Sequence, residues 1–392
     1  MLTPRTSLVR RITAALDASP SRIPVLLGGC GSGRTTVLRQ LRERFGRTSA
    51  QQIDVERTAT TPERFLRAVV AQTPFPTNAS APANARAAFD ATVEFFGQAK
   101  APGGEPAIFL LDEFFELRTF ESFPGLRRVL HDFIGALATS GNRFVLTSRY
   151  TARALRLLRD HSSRFEVIQM PAFTAEDTLD ILGMTGSTTA EATDADYLAR
   201  TVVALADGRP SYVRSLVDEL QAIREHGGPG GGDAISALAS LLAADGHIAQ
   251  QCFFCYELRL HRARGYGALK AILEILAEEE GLTLTEVSQR LQRTPGSTKD
   301  YLSWLEDVDL VTSRQKRYSF TDPLLRVWVR LHCRATSPTE DDLAREVHRY
   351  ALPRLPHTSD SGSTPPTPAP APQPEPAFAM AGGPNSGIIE ID

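Results

Sequence analysis

Short apolar runs alternate with amphipathic stretches through residues 6–170. Residues 23–27, 52–55, 107–111, 143–146 and 167–170 have the length and apolar density of buried strands. Between them the apolar positions fall at helical spacing. Leu8, Ile12 and Leu16 lie in 6–18, and Val37, Leu38, Leu41 and Phe45 follow the first strand. Phe65, Val69 and Val70 lie in 62–72, and further helices are expected at 85–99, 121–139 and 151–163. Strands alternating with helices predict an α/β fold built on a parallel, doubly wound sheet. The run Ala107-Ile-Phe-Leu-Leu111 ends in Asp112-Glu113. A buried parallel strand delivers acids to the C-terminal edge of its sheet in this way.

Beyond this core the pattern is helical. A helical lid is expected over 173–226 and connecting helices over 233–264, with helices at 233–244 and 246–262. Residues 267–321 read as a winged helix-turn-helix. Its helices are expected at 268–277, at 283–291 opening on the capping box Thr283–Glu286, and at 297–306 with Tyr301, Leu302 and Leu305 inward. Wing strands are expected at 310–311 and 318–320, joined by 313–317. Three segments break the pattern. Residues 73–86 are rich in Pro, Asn and Ala, 226–233 are rich in Gly, and 364–376 form nearly a proline repeat. The domain boundaries that follow are 1–172 for the core, 173–226 for the lid, 233–264 for the connector and 265–352 for the winged helix. The remaining 353–392 is expected to be a disordered tail, ending in the β-prone tag Gly387-Ile-Ile-Glu-Ile-Asp392.

The 392 residues carry a net charge of −3, with 42% hydrophobic and 23% charged residues, which is ordinary for a soluble protein. No stretch approaches the roughly 18 apolar residues of a membrane span. Arg10 and Arg11 interrupt the N-terminus where a signal peptide would be apolar. A cytoplasmic location without a membrane partner is therefore expected. Cys252 and Cys255 read as buried, inert residues on a helix, whereas Cys30 lies where a helix dipole would lower a thiol pKa.

The candidate chemistry starts at Gly28-Gly-Cys-Gly-Ser-Gly-Arg-Thr35. This matches the phosphate-binding loop G-x-x-x-x-G-K-[ST] except that Arg34 stands in place of Lys. Glycines let backbone N–H groups turn inward on a phosphate, and the following helix adds positive potential. Gly28, Gly29, Cys30, Gly31, Ser32, Gly33, Arg34, Thr35 and Thr36 are thus the expected ATP contacts. Arginine is larger and planar where lysine is a point charge, so Arg34 bears on whether hydrolysis follows binding. Asp112 and Glu113 resemble the second signature of P-loop ATPases. That resemblance gives Asp112 and Thr35 to Mg²⁺ and makes Glu113 the residue that polarises the attacking water. Thr147, with Ser148 as runner-up, is the candidate contact to the γ-phosphate or that water.

Taken together, residues 1–225 resemble the AAA+ and STAND ATPases, in particular archaeal-type and replication-initiator-like members. Ser163-Arg164-Phe165 resembles the place of their arginine finger, with Arg149 as competitor, and a finger acting in trans implies a homo-oligomer. Pro171-Ala-Phe-Thr-Ala-Glu-Asp resembles their approach to the lid. Gly208-Arg209-Pro210 resembles the STAND G-x-P turn, whose proline lies against the nucleotide, and Arg214 stands at a sensor position. A plain helix start is the other reading of Pro210. Asp322-Pro-Leu-Leu-Arg-Val-Trp328 resembles the D-P-x-x-R-x-W element of archaeal-type ATPases.

The resemblance implies an ATP- and Mg²⁺-dependent switch whose nucleotide state controls the winged helix. Two rivals are a nucleotide-sensing adaptor without turnover and an ATP-regulated DNA-binding protein. A protein partner is expected at the winged helix or the tail. For DNA, Thr298, Lys299 and the wing would face the groove. Residues 266–337, however, hold ten Lys/Arg and ten Asp/Glu, a neutral balance that argues against strong DNA binding.

Overall fold

The computed structural model describes residues 5–77, 82–159, 161, 163–183, 189–225, 233–260, 263, 265–334 and 336–356. The described residues up to Leu355 form one compact unit. The Gly-rich stretch 226–232 and the proline-rich tail with its terminal tag lie outside the described residues.

Five strands form the core sheet: β1 Ile23–Leu27, β2 Ala50–Asp54, β3 Ile108–Asp112, β4 Arg143–Ser148 and β5 Phe165–Gln169. Their order is β2-β3-β4-β1-β5 and every pairing is parallel. Side chains alternate between the two faces, and both faces are covered. Leu26, Leu110, Val145 and Ile168 point to the helices Thr6–Asp17 and Arg34–Phe45. Val25, Phe109, Leu111 and Phe144 join the larger core on the opposite face. There Phe109 packs against Phe75, Phe95, Phe96 and Phe144 at ring separations of 4.8–5.8 Å.

The doubly wound sheet is as expected, with shifts at its edges. β2 ends at Asp54, because the Asp54 side chain caps the short helix Val55–Thr58 by accepting from Arg57 N at 3.1 Å. β4 continues through Thr147 and Ser148, so both are strand residues. The helix expected at 121–139 is split into a 3₁₀ segment Phe114–Ser122 and the helix Val129–Thr139. Pro124 and Gly125, the latter at φ +80°, separate the two.

The helices Ala175–Leu182, Thr189–Leu205 and Pro210–Glu225 follow, then Ala234–Leu242 and His247–Leu260. A winged helix comes next, with helices Tyr266–Glu278, Leu284–Leu291 and Pro295–Asp307. Its antiparallel sheet has the order β6-β8-β7, from β6 Leu282–Thr283, β7 Val311–Arg314 and β8 Arg317–Phe320. The wing is tighter than expected. Its strands run on to a two-residue turn at Gln315 and Lys316, with φ of 52° and 63°. Positive φ at both positions matches the right-handed twist of a hairpin without needing Asn-Gly. Thr298 does not face outward. It is fully buried and its Oγ1 donates to Thr294 O at 3.0 Å, whereas Lys299 is exposed.

The element Asp322–Trp328 opens the helix Pro323–His332. A last helix, Glu340–Ala351, starts on the capping box Thr339–Asp342. It is pinned by a buried two-pronged ion pair in which Arg330 donates to Glu346 at 2.7 and 2.9 Å. Among the described residues no helix is long and apolar enough to cross a membrane.

Candidate nucleotide site

β1 lies between β4 and β5, so the Gly-rich loop leaves an interior strand of the sheet at its C-terminal edge. The loop can turn because Gly31 and Gly33 adopt φ of 75° and 85°. Gly33 is the residue before the helix Arg34–Phe45, whose first N–H groups are therefore directed at the loop. A cavity of about 340 Å³ opens there. It is bounded by the loop, by Thr36 and Gln40 on the helix, by Arg5 and Phe173, and by Pro210, Ser211 and Arg214. Ser211 N donates to Gly31 O at 3.2 Å, so the start of the lid helix closes directly on the loop. A Cβ on Gly31 would come within 2.0 Å of Ser211 Oγ.

β4 lies between β1 and β3, which places Thr147 between the loop and the acids of β3. Thr147 Oγ1 donates to Asp112 Oδ1 at 2.6 Å and accepts from Glu113 N at 3.0 Å. Thr35 Oγ1 donates to the other oxygen, Asp112 Oδ2, at 2.7 Å. Burial raises the Asp112 carboxyl pKa, and the two threonine hydroxyls offset part of that rise. A hydroxyl and a carboxylate in contact form a hard oxygen donor set that fits Mg²⁺. Ser211 Oγ is shielded from solvent and has no hydrogen-bond partner among the described residues, a further polar atom beside the cavity.

Arg34 is turned back beneath the loop. Its Nη1 donates to Gly28 O, to Gly29 O at 2.6 Å and to Ser32 Oγ at 3.0 Å, and its Nη2 pairs with Glu113 Oε1. Glu113 is gripped from the other side by Arg149, whose N lies 3.0 Å and whose Nε lies 3.2 Å from Oε2. Burial pushes the Glu113 carboxyl up, but Arg34 and Arg149 outweigh it and hold the group below the usual carboxylate value. Glu113 also has φ +56°, an uncommon backbone state for a non-glycine residue. Arg149 in turn pairs with Glu56.

Not every expected residue comes to this edge. Arg164 lies at the opposite end of β5, where its guanidinium donates to Ser21 O at 3.0 Å and to Ala138 O and Ser140 O at 2.8 Å. Pro210 is the first residue of its helix and also lines the cavity. Arg149 was expected here only as the competing arginine finger, and Glu56, Arg209 and Arg259 were given no role by their positions in the chain. Arg209 Nη1 sits 3.0 Å from where a Gly29 Cβ would be. The same guanidinium donates to Thr321 O at 2.9 Å and pairs with Asp322 Oδ2 at 3.3 Å. Arg259 reaches Cys30 Sγ at 3.4 Å and Asp309 O at 2.9 Å. Arg209 was marked only as the middle residue of the Gly208-Arg209-Pro210 turn, and nothing in the sequence marked Glu56.

No protein-family model matches the sequence, and no curated protein matches it. Among solved structures, the chain is similar to the Walker-type ATPase PABY2304 of Pyrococcus abyssi, at 17% identity and a TM-score of 0.58. That alignment covers 84% of this chain and 96% of the other. The two share a fold. The Orc1 protein of Aeropyrum pernix, solved in complex with DNA, aligns at 17% identity and a TM-score of 0.46, over 91% of this chain and 94% of its own. A RuvB variant of Thermotoga maritima aligns at 12% identity and a TM-score of 0.41, over 81% and 92%. Scores below 0.5 do not establish a common fold for these two.

Proposed function

We propose that the chain is a nucleotide-operated switch: it binds ATP with Mg²⁺ at the Gly-rich loop, hydrolyses it, and passes the nucleotide state to the winged helix. Backbone N–H groups of residues 28–36 would hold the phosphates, Thr35 and Asp112 the metal, and Pro210 and Arg214 the lid side of the nucleotide. Bound Mg²⁺ supplies charge neutralisation at the phosphates. Glu113 cannot accept a proton readily while two arginines hold it. Arg34 therefore has to exchange Glu113 for phosphate before Glu113 can act as base, with Thr147 orienting it. Arg164 would serve a neighbouring copy only after leaving its three carbonyls.

The observation that carries the reading is Arg209. One guanidinium lies against Gly29 of the loop and holds Thr321 and Asp322 of the winged-helix region. Any shift of the loop on filling is felt at Asp322 through a rigid, charge-assisted contact. A ligand biases such a contact only if it binds the two arrangements unequally. Hydrogen exchange with and without Mg-ATP tests this. Slower exchange in 28–36 with a change in 322–332 is expected. Protection of the loop with 322–332 unmoved would refute the coupling.

A second reading is favoured by the Arg34–Glu113 pair. If it persists with nucleotide bound, the chain senses ATP without turning it over. A protein partner remains the preferred occupant of the winged helix, because the inward Thr298 and the neutral charge balance weaken a DNA-reading face.

A further inference from the structure

The helix His247–Leu260 presents two residues to the Gly-rich loop. Arg259 Nη2 contacts Cys30 Sγ at 3.4 Å. Cys255, one turn earlier, shares that helix face, which brings its thiol to the side of the helix that meets Cys30. Cys30 and Cys255 are both partly rather than fully buried residues, unlike Cys252. The hydrogen bond from Cys255, with the charges of Arg259, Arg149 and Arg34, outweighs burial and draws the Cys30 thiol well below its usual value. The third cysteine of the region differs. Cys252 is fully buried against Tyr212 OH at 3.5 Å, and burial keeps its thiol protonated.

We propose that Cys30 and Cys255 form a peroxide-sensitive thiol pair that closes to a disulfide and locks the Gly-rich loop. The Cys30 thiolate attacks one oxygen of hydrogen peroxide. The O–O bond breaks, leaving a sulfenic acid on Cys30 and hydroxide, which becomes water by taking up the proton that the Cys30 thiol released on ionising. The Cys255 sulfur then attacks the Cys30 sulfur. The S–S bond forms, the S–O bond breaks, and the departing hydroxide takes the Cys255 proton as water. Two electrons pass from the thiol pair to the peroxide. The link ties the loop to a helix outside the nucleotide core, so the loop can no longer adjust around phosphate. This consequence rests on the nucleotide reading, whereas the disulfide itself does not.

The test treats the reduced full-length chain with hydrogen peroxide and maps peptides by mass spectrometry. A peptide joining Cys30 to Cys255, about 2 Da lighter than the reduced pair, is expected. Cys255→Ser should stop at a Cys30 sulfenic acid that dimedone traps, and Cys252→Ser should behave as wild type. Linkage through Cys252, or no Cys30–Cys255 link in wild type, overturns the proposal. Mg-ATP binding is then measured on both forms. Oxidation should weaken it by roughly tenfold or more, reversibly with dithiothreitol, and Cys255→Ser should be immune. Tight binding by the linked form overturns the locking. If the reduced chain also fails to bind ATP, the nucleotide reading has failed, and the peptide map still judges the thiol pair.

Discussion

Replacing Asp322 by Ala removes one side chain that serves three neighbours. It caps the helix Pro323–His332, accepting from Leu324 N at 3.0 Å and Leu325 N at 3.3 Å. It also accepts from the buried Tyr212 hydroxyl at 2.9 Å and pairs with Arg209 at 3.3 Å. A lost cap costs about 1 kcal/mol. Leaving the Tyr212 hydroxyl with only the weak contact to Cys252 Sγ at 3.5 Å adds about 1 kcal/mol. Breaking a buried ion pair from one side costs about 3–5 kcal/mol, and the lower end applies because Arg209 keeps Thr321 O. These contributions share atoms and do not add fully, so about 4 kcal/mol is expected. Asp322→Asn keeps an acceptor for the cap and should lose about 2 kcal/mol. Urea unfolding monitored by circular dichroism measures both. A loss below about 1 kcal/mol for Asp322→Ala would show that this cluster does not join the winged helix to the lid.

Other perturbations test separate contacts. Burial raises the Asp309 carboxyl from 3.8 to about 6, against the pull of Arg259 and of Thr151 and Ala152 N–H. The folded state therefore holds this proton more tightly than the unfolded chain. Asp309 stabilises most below pH 4, and that contribution falls as pH rises through about 6, by on the order of 3 kcal/mol. Asp309→Asn should flatten this slope in unfolding measured from pH 4 to 7, and an unchanged slope would refute the assignment. Glu346→Ala breaks the two-pronged pair and leaves Arg330 only Ala277 O at 3.1 Å and the exposed Glu278 at 3.0 Å, and should cost about 3 kcal/mol by urea unfolding. Replacing both partners by Met and Leu should recover most of it, and no recovery would point to packing instead. Gly31→Ala forces a β-carbon into φ +75° and toward Ser211 Oγ, and should weaken Mg-ATP binding by roughly tenfold or more in calorimetry.

The legible parts of the fold were those with a local cause. The apolar runs 23–27 and 107–111 are buried on both faces, so their composition alone marks them as central strands. The capping box Thr283–Glu286 followed from its spacing, and the resemblance had given Thr35 and Asp112 to one site, where their side chains meet. What was missed depends on long-range geometry. The two positive-φ residues that shorten the wing carry no glycine to announce them. The inward turn of Thr298 is set by packing at the third helix, since a polar residue at helical spacing fits either face. The backward fold of Arg34 onto Glu113 joins residues 79 positions apart, and the Arg259–Cys30 contact spans 229. No pattern along the chain encodes such contacts.

The most direct test of the account is ATP turnover with Mg²⁺ by the purified full-length chain, measured beside Glu113→Gln and Arg34→Lys, with binding followed in parallel by calorimetry. Wild type should bind ATP saturably, Glu113→Gln should keep binding while its turnover falls by roughly 100-fold or more, and Arg34→Lys should show altered turnover. Binding without turnover in wild type, with turnover in Arg34→Lys, would make Arg34 the brake of a sensor. Absence of ATP binding in wild type, or turnover indifferent to Glu113→Gln, would rule out an ATP-hydrolysing switch at this loop.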